Sequence, residues 1–299
     1  MNLYFDRDFN HRTGRLFQIF PAPGCENLGF YLNGTHAETI PATLMVGDIP
    51  CLDLFGKGGQ FFPRYTFTSK STAGQLDLFD SGASYERIDN ITDEIHTEYC
   101  RLYGSQTTKD DIFYFVYGFL HSPDYRQRYA ADLKKMLPRI PKLAETSDFW
   151  AFSAAGRTLA ELHLNYESVE KYPLQIDGAS TGSATEELNL RVEKKMKYGG
   201  KRGSDKTVLH YNDDITISGI PLEAQEYMLG SRSALDWIID RYYVRVDKAS
   251  GIVNDANMWG IEHGEPDYIL NLIQRIVTVS IRTVEIVQSL PPLRIREEQ

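Results

Sequence analysis

Three residues of the types used by metal-dependent nucleases stand near one another in the chain. Glu193 and Lys195 are two positions apart, and Asp177 lies sixteen positions before Glu193. Because side chains alternate along a strand, Glu193 and Lys195 would project from one face of an extended segment. In an Asp…Glu-x-Lys nuclease the carboxylates bind Mg²⁺ and the lysine positions the attacking water. The same residues also fit a solvated, charged strand face, so both interpretations stay open.

A run of positive charge surrounds this pair. Residues 191–206 contain seven basic and two acidic residues, whereas the whole chain has a net charge of −9. A flexible basic tip that carries an aromatic residue can lie along DNA phosphates or enter a groove. The alternative is a solvated loop that stays polar for solubility. The residues of this segment that could contact DNA are Lys194, Lys195, Lys197, Tyr198, Lys201, Arg202 and Lys206.

Other catalytic and cofactor signatures are missing from the sequence. It contains no Gly-x4-Gly-Lys-Ser/Thr phosphate loop and no Gly-x-Ser-x-Gly nucleophile motif. The three cysteines and seven histidines are scattered along the chain, which disfavours a compact zinc site. We therefore expect no metal ion and no cofactor.

Composition and charge narrow the class of protein. Hydrophobic residues make up 42% of the 299 positions, as expected for a soluble globular protein with a packed core. A net charge of −9 disfavours binding of nucleic acid or of an anionic membrane by bulk charge. The sequence has no apolar run of about 20 residues, and its first residues do not form a signal peptide. These features, with an odd number of cysteines, predict a cytoplasmic protein.

Periodicity and turn signals predict an α+β fold with a β-rich N-terminal third, residues 1–105, followed by a mainly helical region, residues 106–299. Apolar runs at 15–20, 27–32 and 64–68 predict strands. Helices are predicted to begin near Thr108, Ser122 and Ser147, and further helices at 221–229, 233–242 and 266–290. The basic segment is predicted to belong to a β-hairpin at about 188–217, with arms at 188–198 and 207–217.

Several sequence blocks, in order, resemble the C-terminal target-recognition (specificity) domain of type ISP restriction–modification enzymes. The longest are DIFYFVYGFLHSPDYR at 111–126 and GRTLAELHLNYE at 156–167. The others are YFDRDFN at 4–10, IFPAP at 19–23, ENL at 26–28, QFFPRY at 60–65, LPRIP at 137–141, SGIPLEA at 218–224, SALDW at 233–237, DKASGIVND at 247–255 and LPPL at 290–293. The blocks extend over essentially the whole chain, residues 1–299.

The resemblance implies a bacterial protein that recognises double-stranded DNA and has no catalytic centre of its own. It also implies partners, in cis or in trans: the methyltransferase and the helicase and nuclease parts of a larger enzyme. Since the chain begins inside the first block, we expect a fragment or a stand-alone remnant of such an enzyme. Arginine and lysine suit guanine edges, and asparagine and glutamine suit adenine edges. The candidate base-reading residues are Arg7, Asn10, Gln60, Arg64, Arg202 and Asn212.

A third function remains open, that of a protein-docking module for a separate methyltransferase or helicase subunit. The chain is rich in aromatic residues, which make up 12% of its positions. An exposed apolar patch around Tyr4, Phe5 and Phe9 would favour docking, because such patches mark protein interfaces.

Overall fold

The computed structural model describes residues 16–22, 24–33, 42–51, 54–55, 58–69, 85–178 and 189–297. The chain divides into two compact units, residues 1–160 with 291–299 and residues 161–290. The change in composition expected near residue 105 therefore falls inside the first unit. Tyr4, Phe5 and Phe9 lie outside the described residues.

The described strands of the first unit form a three-stranded antiparallel sheet and a separate hairpin. The sheet has the order β2-β1-β3, with Phe30 of the central strand opposite Met45 and Phe62. The strands are β1 (Gly29–Leu32), β2 (Thr43–Val46), β3 (Gln60–Pro63), β4 (Tyr65–Ser69) and β5 (Tyr85–Asp89). All four residues of β1 are buried, since the strand lies in the middle of its sheet.

Side-chain caps fix where the helices of this unit begin. Thr108 and Asp111 form a capping box, with the Asp111 amide donating to the Thr108 hydroxyl at 3.1 Å. Ser122 caps the helix that begins at Pro123. The helices are α1 (Leu16–Ile19), α2 (Asp93–Tyr103), α3 (Lys109–Phe119), α4 (Pro123–Arg128), α5 (Ala130–Leu133) and α6 (Thr146–Leu164), the last extending into the second unit.

Helices α3 and α6 pack against each other through two glycines. A Cβ atom at Gly156 would lie 2.7 Å from the Gly118 nitrogen and closer still to the Tyr114 carbonyl oxygen. Only hydrogen fits there, so the two helix backbones touch. Aromatic rings fill the space beside the crossing, with the Phe119 and Phe152 ring centroids 5.3 Å apart. This close approach depends on the absence of side chains at both glycines.

The second unit is built around a four-stranded antiparallel sheet of order β6-β9-β8-β7 and a long helix. The strands are β6 (Gln175–Gly178), β7 (Lys197–Gly199), β8 (Asp205–His210), β9 (Ile215–Ser218), β10 (Met228–Leu229), β11 (Arg232–Ser233), β12 (Val244–Val246) and β13 (Val253–Asp255). The helices are α7 (Ala234–Arg241), α8 (Met258–Glu262) and α9 (Tyr268–Gln288). Helix α9 packs against α7 and against a 3₁₀ turn, Leu222–Gln225.

A buried histidine lies between elements of this unit. His163, in the last turn of α6, is buried, and its Nε2 lies 2.9 Å from the Thr283 hydroxyl on α9. Its ring stacks on Tyr227, with the ring centroids 5.3 Å apart. Burial lowers the pKa of His163 to about 3, because a charged imidazolium would lose its hydration.

The α+β class is confirmed, with sheets at the start of the chain and longer helices after them. The helices expected near Thr108, Ser122, Ser147, Ser233 and Pro266 are present. Two local predictions are wrong. Residues 16–19 form a helical turn rather than a strand, and 221–229 form a 3₁₀ turn and a short strand rather than a helix. No helix of the described segments has the length and apolar character needed to cross a membrane.

Candidate nucleic-acid interface

The basic segment lies at one edge of the second unit's sheet, on a shorter hairpin than expected. Residues 189–196 are not strand, and the hairpin pairs β7 with β8, whose partner on the other side is β9. The arms predicted at 188–198 and 207–217 are therefore wrong, because β8 and β9 are separate strands. A 3₁₀ turn, Lys201–Gly203, forms the tip, and Arg202 within it has a left-handed φ of 60°.

Five of the predicted DNA-contacting residues line one cleft of about 690 Å³. The cleft lies between the β7–β8 hairpin and helix α7. These five residues are Lys195, Lys197, Tyr198, Arg202 and Lys206. Four further residues that line the cleft were not predicted from the sequence: His210, Arg232, Asp236 and Asp240. The cleft thus holds five permanent cations and two carboxylates, which leaves an excess of three positive charges.

Intramolecular ion pairs neutralise part of this positive charge. Lys195 donates to Asp240, and this hydrogen bond is the largest of the effects that lower the pKa of Asp240. Lys206 lies 3.4 Å from Asp236 and 3.6 Å from the centroid of the Tyr198 ring. Lys194 is outside the cleft and pairs with Asp213 at 2.7 Å, a contact that raises the pKa of the lysine.

Three cations of the β7–β8 hairpin differ from these: Lys201 and Arg202 lie in its tip, and Lys197 is the first residue of β7. Lys197, Lys201 and Arg202 have no ion pair with any residue that the structure describes. Lys197 and Arg202 line the cleft, and the side chains of all three residues are on an exposed turn or strand edge. A cation that is not ion-paired can bind an anion without first breaking an internal ion pair, although Asp213 acts on Lys197 from a longer distance. These three residues, the tip cations, are therefore the best placed to bind phosphate.

Other candidates have structural roles. Tyr198 is buried, and its hydroxyl lies 3.3 Å from the Gln225 side-chain oxygen, so its ring has no free face for a base. The Asn212 side chain donates to the Asn189 and Arg191 carbonyls and accepts from two backbone amides, which fixes the β8–β9 turn. Both ends of this amide are thus already hydrogen-bonded.

Arg64 is buried in the first unit. Its guanidinium pairs with Asp89 and with Asp110, and lies 4.4 Å from the centroid of the Tyr65 ring. Arg64 is 4% exposed, so the residue connects the β3–β4 junction to β5 and α3 instead of reaching solvent. Gln60 is exposed on β3, at the edge of a different cleft of about 540 Å³. Arg7 and Asn10 lie outside the described residues.

The residues of the hypothetical nuclease site have separate partners. Glu193 is not on a strand, and its carboxylate lies 3.6 Å from Arg191. Lys195 pairs with Asp240, while Asp177 on β6 accepts a hydrogen bond from Gln175 at 3.1 Å. The alternating strand expected for Glu193 and Lys195 is thus wrong. Within the described ranges, no three His, Cys, Asp or Glu side chains are grouped to hold a metal ion.

The sequence contains only part of the information needed to predict the acidic residues of the cleft. Asp236 and Asp240 are four positions apart on α7, a spacing that places both on one helix face. Nothing local indicates that this face lies opposite the basic hairpin, which is about 40 residues earlier in the chain.

Comparison with protein families decides what kind of domain this is. The model of the Type ISP C-terminal specificity domain matches residues 1–272. The chain belongs to this family. The resemblance found in the sequence blocks is therefore confirmed. A search of curated proteins gives no match for this specificity domain.

Three solved structures similar to this specificity domain are complexes with DNA or a DNA substrate mimic, and two of them are of Type ISP restriction–modification enzymes. The Type ISP enzyme LlaBIII bound to DNA has 32% identity and a TM-score of 0.81, with 98% of this chain and 18% of that chain covered. A nuclease-deletion mutant of LlaGI with a DNA substrate mimic has 34% identity and a TM-score of 0.74, covering 95% and 23%. A DrdV–DNA complex has 30% identity and a TM-score of 0.77, covering 94% and 26%. The specificity domain thus spans about a fifth to a quarter of those chains.

Proposed function

We propose that this specificity domain binds double-stranded DNA through the cleft beside the β7–β8 hairpin and recognises its sequence there. The observation that carries the proposal is the group of tip cations, Lys197, Lys201 and Arg202, left without carboxylate partners in the described chain. Similar solved structures are of two Type ISP enzymes, one with DNA and one with a DNA substrate mimic, and of a DrdV–DNA complex. The domain itself supplies recognition, and the methyltransferase, helicase and nuclease parts of a bacterial cytoplasmic enzyme supply the chemistry.

The charge distribution fits this division of roles. Bulk attraction to DNA is weak for a chain of net charge −9, so contact is confined to a local excess of positive charge. Few phosphates are neutralised by three tip cations, and we expect modest affinity and a shallow dependence on salt. Sequence discrimination then depends on groups that touch base edges.

Replacing the three tip cations by alanine is expected to flatten the salt dependence of DNA binding. Each lost phosphate contact changes the slope of log affinity against log salt by about 0.9, so the triple variant should lose about 2.7. Because phosphate contacts carry no sequence information, all duplexes should weaken about equally. Fluorescence titration of labelled duplexes at several salt concentrations measures both quantities.

The matched control removes the same charge elsewhere. Lys134, Lys135 and Arg139 are exposed in the first unit, and their triple alanine variant should keep the wild-type slope. Equal slopes for the wild type and the tip variant would show that the tip is a solvated loop.

In the same reactions with Mg²⁺, the DNA should remain uncut. Cutting that Glu193→Ala abolishes would instead support the nuclease.

A second candidate function, docking to another part of the enzyme, is favoured by one segment of the second unit. Val246 and Val253 face each other across the β12–β13 hairpin and are 58% and 59% exposed, and Ile252 beside them is 68% exposed. Helix α8 adds the exposed side chains of Trp259 and Ile261. A cluster of large, exposed apolar side chains marks an interaction surface. We propose that this surface packs against the methyltransferase or helicase part of the enzyme.

The double substitution Ile252→Asp/Val253→Asp is expected to weaken that association at least tenfold, because burying two new charges against an apolar partner is unfavourable. The binding partner in this experiment is LlaBIII from which the region that matches this domain has been deleted. Binding is measured by interferometry. Ile88→Asp changes an exposed apolar residue of the first unit and should have no effect. If the wild-type domain does not bind the truncated enzyme, or both variants bind like wild type, the docking proposal is wrong.

A further inference from the structure

Arg232 lines the cleft at a position between a tight turn and a capped helix. It lies on β11, which pairs with β10 through a turn at Gly230, whose φ is 71°. Helix α7 begins two residues later, and the Ser233 hydroxyl accepts the Asp236 amide at 3.1 Å as its N-cap. A tight turn on one side and a capped helix on the other fix the backbone of Arg232.

The guanidinium of Arg232 is held on two sides. Its Nη1 donates to the Asp240 carboxylate, whose other oxygen binds Lys195. Its central carbon lies 5.1 Å from the centroid of the Trp237 ring. That ring is itself fixed, since the indole N–H donates to the Leu229 carbonyl at 2.9 Å. The plane and the direction of the guanidinium are thus set before any ligand binds.

One edge of the guanidinium stays available. Nε and Nη2 of Arg232 have no partner among the residues that the structure describes, and the side chain is 42% exposed. These two atoms donate parallel hydrogen bonds, the arrangement that matches a pair of neighbouring acceptors. Of the base edges in the major groove, O6 and N7 of guanine offer such a pair.

The carboxylates around Arg232 favour a base over a phosphate as this acceptor. Asp240 offsets part of the charge of the guanidinium and is shared with Lys195, and Asp236, which pairs with Lys206, lines the same cleft. The two carboxylates weaken the attraction of a phosphate to the free edge, whereas they do not weaken the binding of an uncharged base edge in this way. The hydrogen bonds to guanine depend on geometry more than on net charge, so they survive this neutralisation.

We propose that Arg232 is a specificity-determining residue that binds the O6 and N7 atoms of one guanine, and that Asp240 is its positioning residue. The proposal rests on the proposed function, because it assigns a role within the DNA cleft. The cleft then has two functional parts. The tip cations bind phosphates, and Arg232 reads one G·C base pair.

Selection of bound duplexes from a random pool tests this assignment with three variants, and a salt titration tests a fourth, Arg232→Ala. Arg232→Lys keeps the charge but loses the parallel donors, so one G·C position of the wild-type motif should become degenerate. Binding to the wild-type motif should fall about 5- to 150-fold, while the salt slope stays unchanged. Asp240→Asn should weaken the same guanine preference without lowering affinity for unrelated DNA. Arg241→Ala should keep the full motif.

Arg241 is the matched control because its guanidinium also lies near the Trp237 ring, at 5.4 Å, but does not line the cleft. If Arg232→Lys and wild type select the same motif, Arg232 does not read guanine. If Arg232→Ala flattens the salt slope as the tip variant does, Arg232 is a phosphate contact. If wild type selects no motif, the proposed function itself fails. Thermal melting of each variant shows whether its fold is intact.

Discussion

Replacing Gly156 by alanine should destabilise the first unit by about 3 kcal/mol or more. On an isolated helix the same change would stabilise by about 1 kcal/mol, because alanine is the better helix former. Here the added methyl group would collide with the Tyr114 carbonyl and with the Gly118 nitrogen of the opposing helix. Backbone atoms cannot rotate away as a side chain can, so α3 and α6 must separate and disturb the aromatic rings packed beside them.

Urea unfolding followed by circular dichroism measures this loss of stability. Ala154 lies on the same helix with its side chain exposed, so Ala154→Leu adds a larger group to solvent. That variant should change the free energy of unfolding by no more than about 0.5 kcal/mol. A Gly156→Ala protein as stable as wild type would show that the two helices are not in backbone contact.

Mild acid should destabilise the second unit through His163. The pKa of His163 is about 3 in the folded protein, against 6.5 for an unperturbed histidine. Between these values the unfolded chain binds a proton that the folded chain does not, so stability falls as the pH falls below 6.5. Because the unfolded histidine is already half protonated at pH 6.5, the contribution of His163 should decrease by about 2.3 kcal/mol between pH 6.5 and pH 4.5, at about 1.36 kcal/mol per pKa unit.

His163→Gln isolates this effect, because glutamine does not titrate. Urea unfolding at a series of pH values should show a shallower loss of stability for the variant than for wild type. His210 is an exposed residue at the end of β8, and His210→Gln serves as the matched control for replacing a histidine in this unit. Identical pH dependence for His163→Gln and wild type would mean that a protonated His163 is accommodated in the fold.

Local signals predicted the helix ends well. The Thr108 capping box and the Ser122 and Ser233 caps each connect residues within one helical turn, so the information needed to place them is contiguous in the sequence. The error at residues 16–19 has a different origin. Residues 16–19 are apolar enough for a strand or a buried helix, and length alone did not separate these two possibilities.

The candidate site was predicted in part. The sequence located the positive charge at 191–206, and the structure places five of its residues on one cleft. Which of those charges are free was not predictable, because the acidic partners come from elsewhere in the chain. Lys195 pairs with a carboxylate 45 positions away, and Lys206 with one 30 positions away.

The sequence by itself determined the family, the α+β class, the helix caps and the place of the basic segment. Only the tertiary structure decided that Arg64 is a buried ion-pair residue, that Tyr198 is covered, and that Arg232 faces the cleft. The physical reason is the separation along the chain over which each kind of interaction acts. Caps and periodicity act between residues within about one helical turn or along one strand. Burial and ion pairing depend on which distant segments the fold brings together, and these interactions assign each charged residue to the core, to an internal partner or to a ligand.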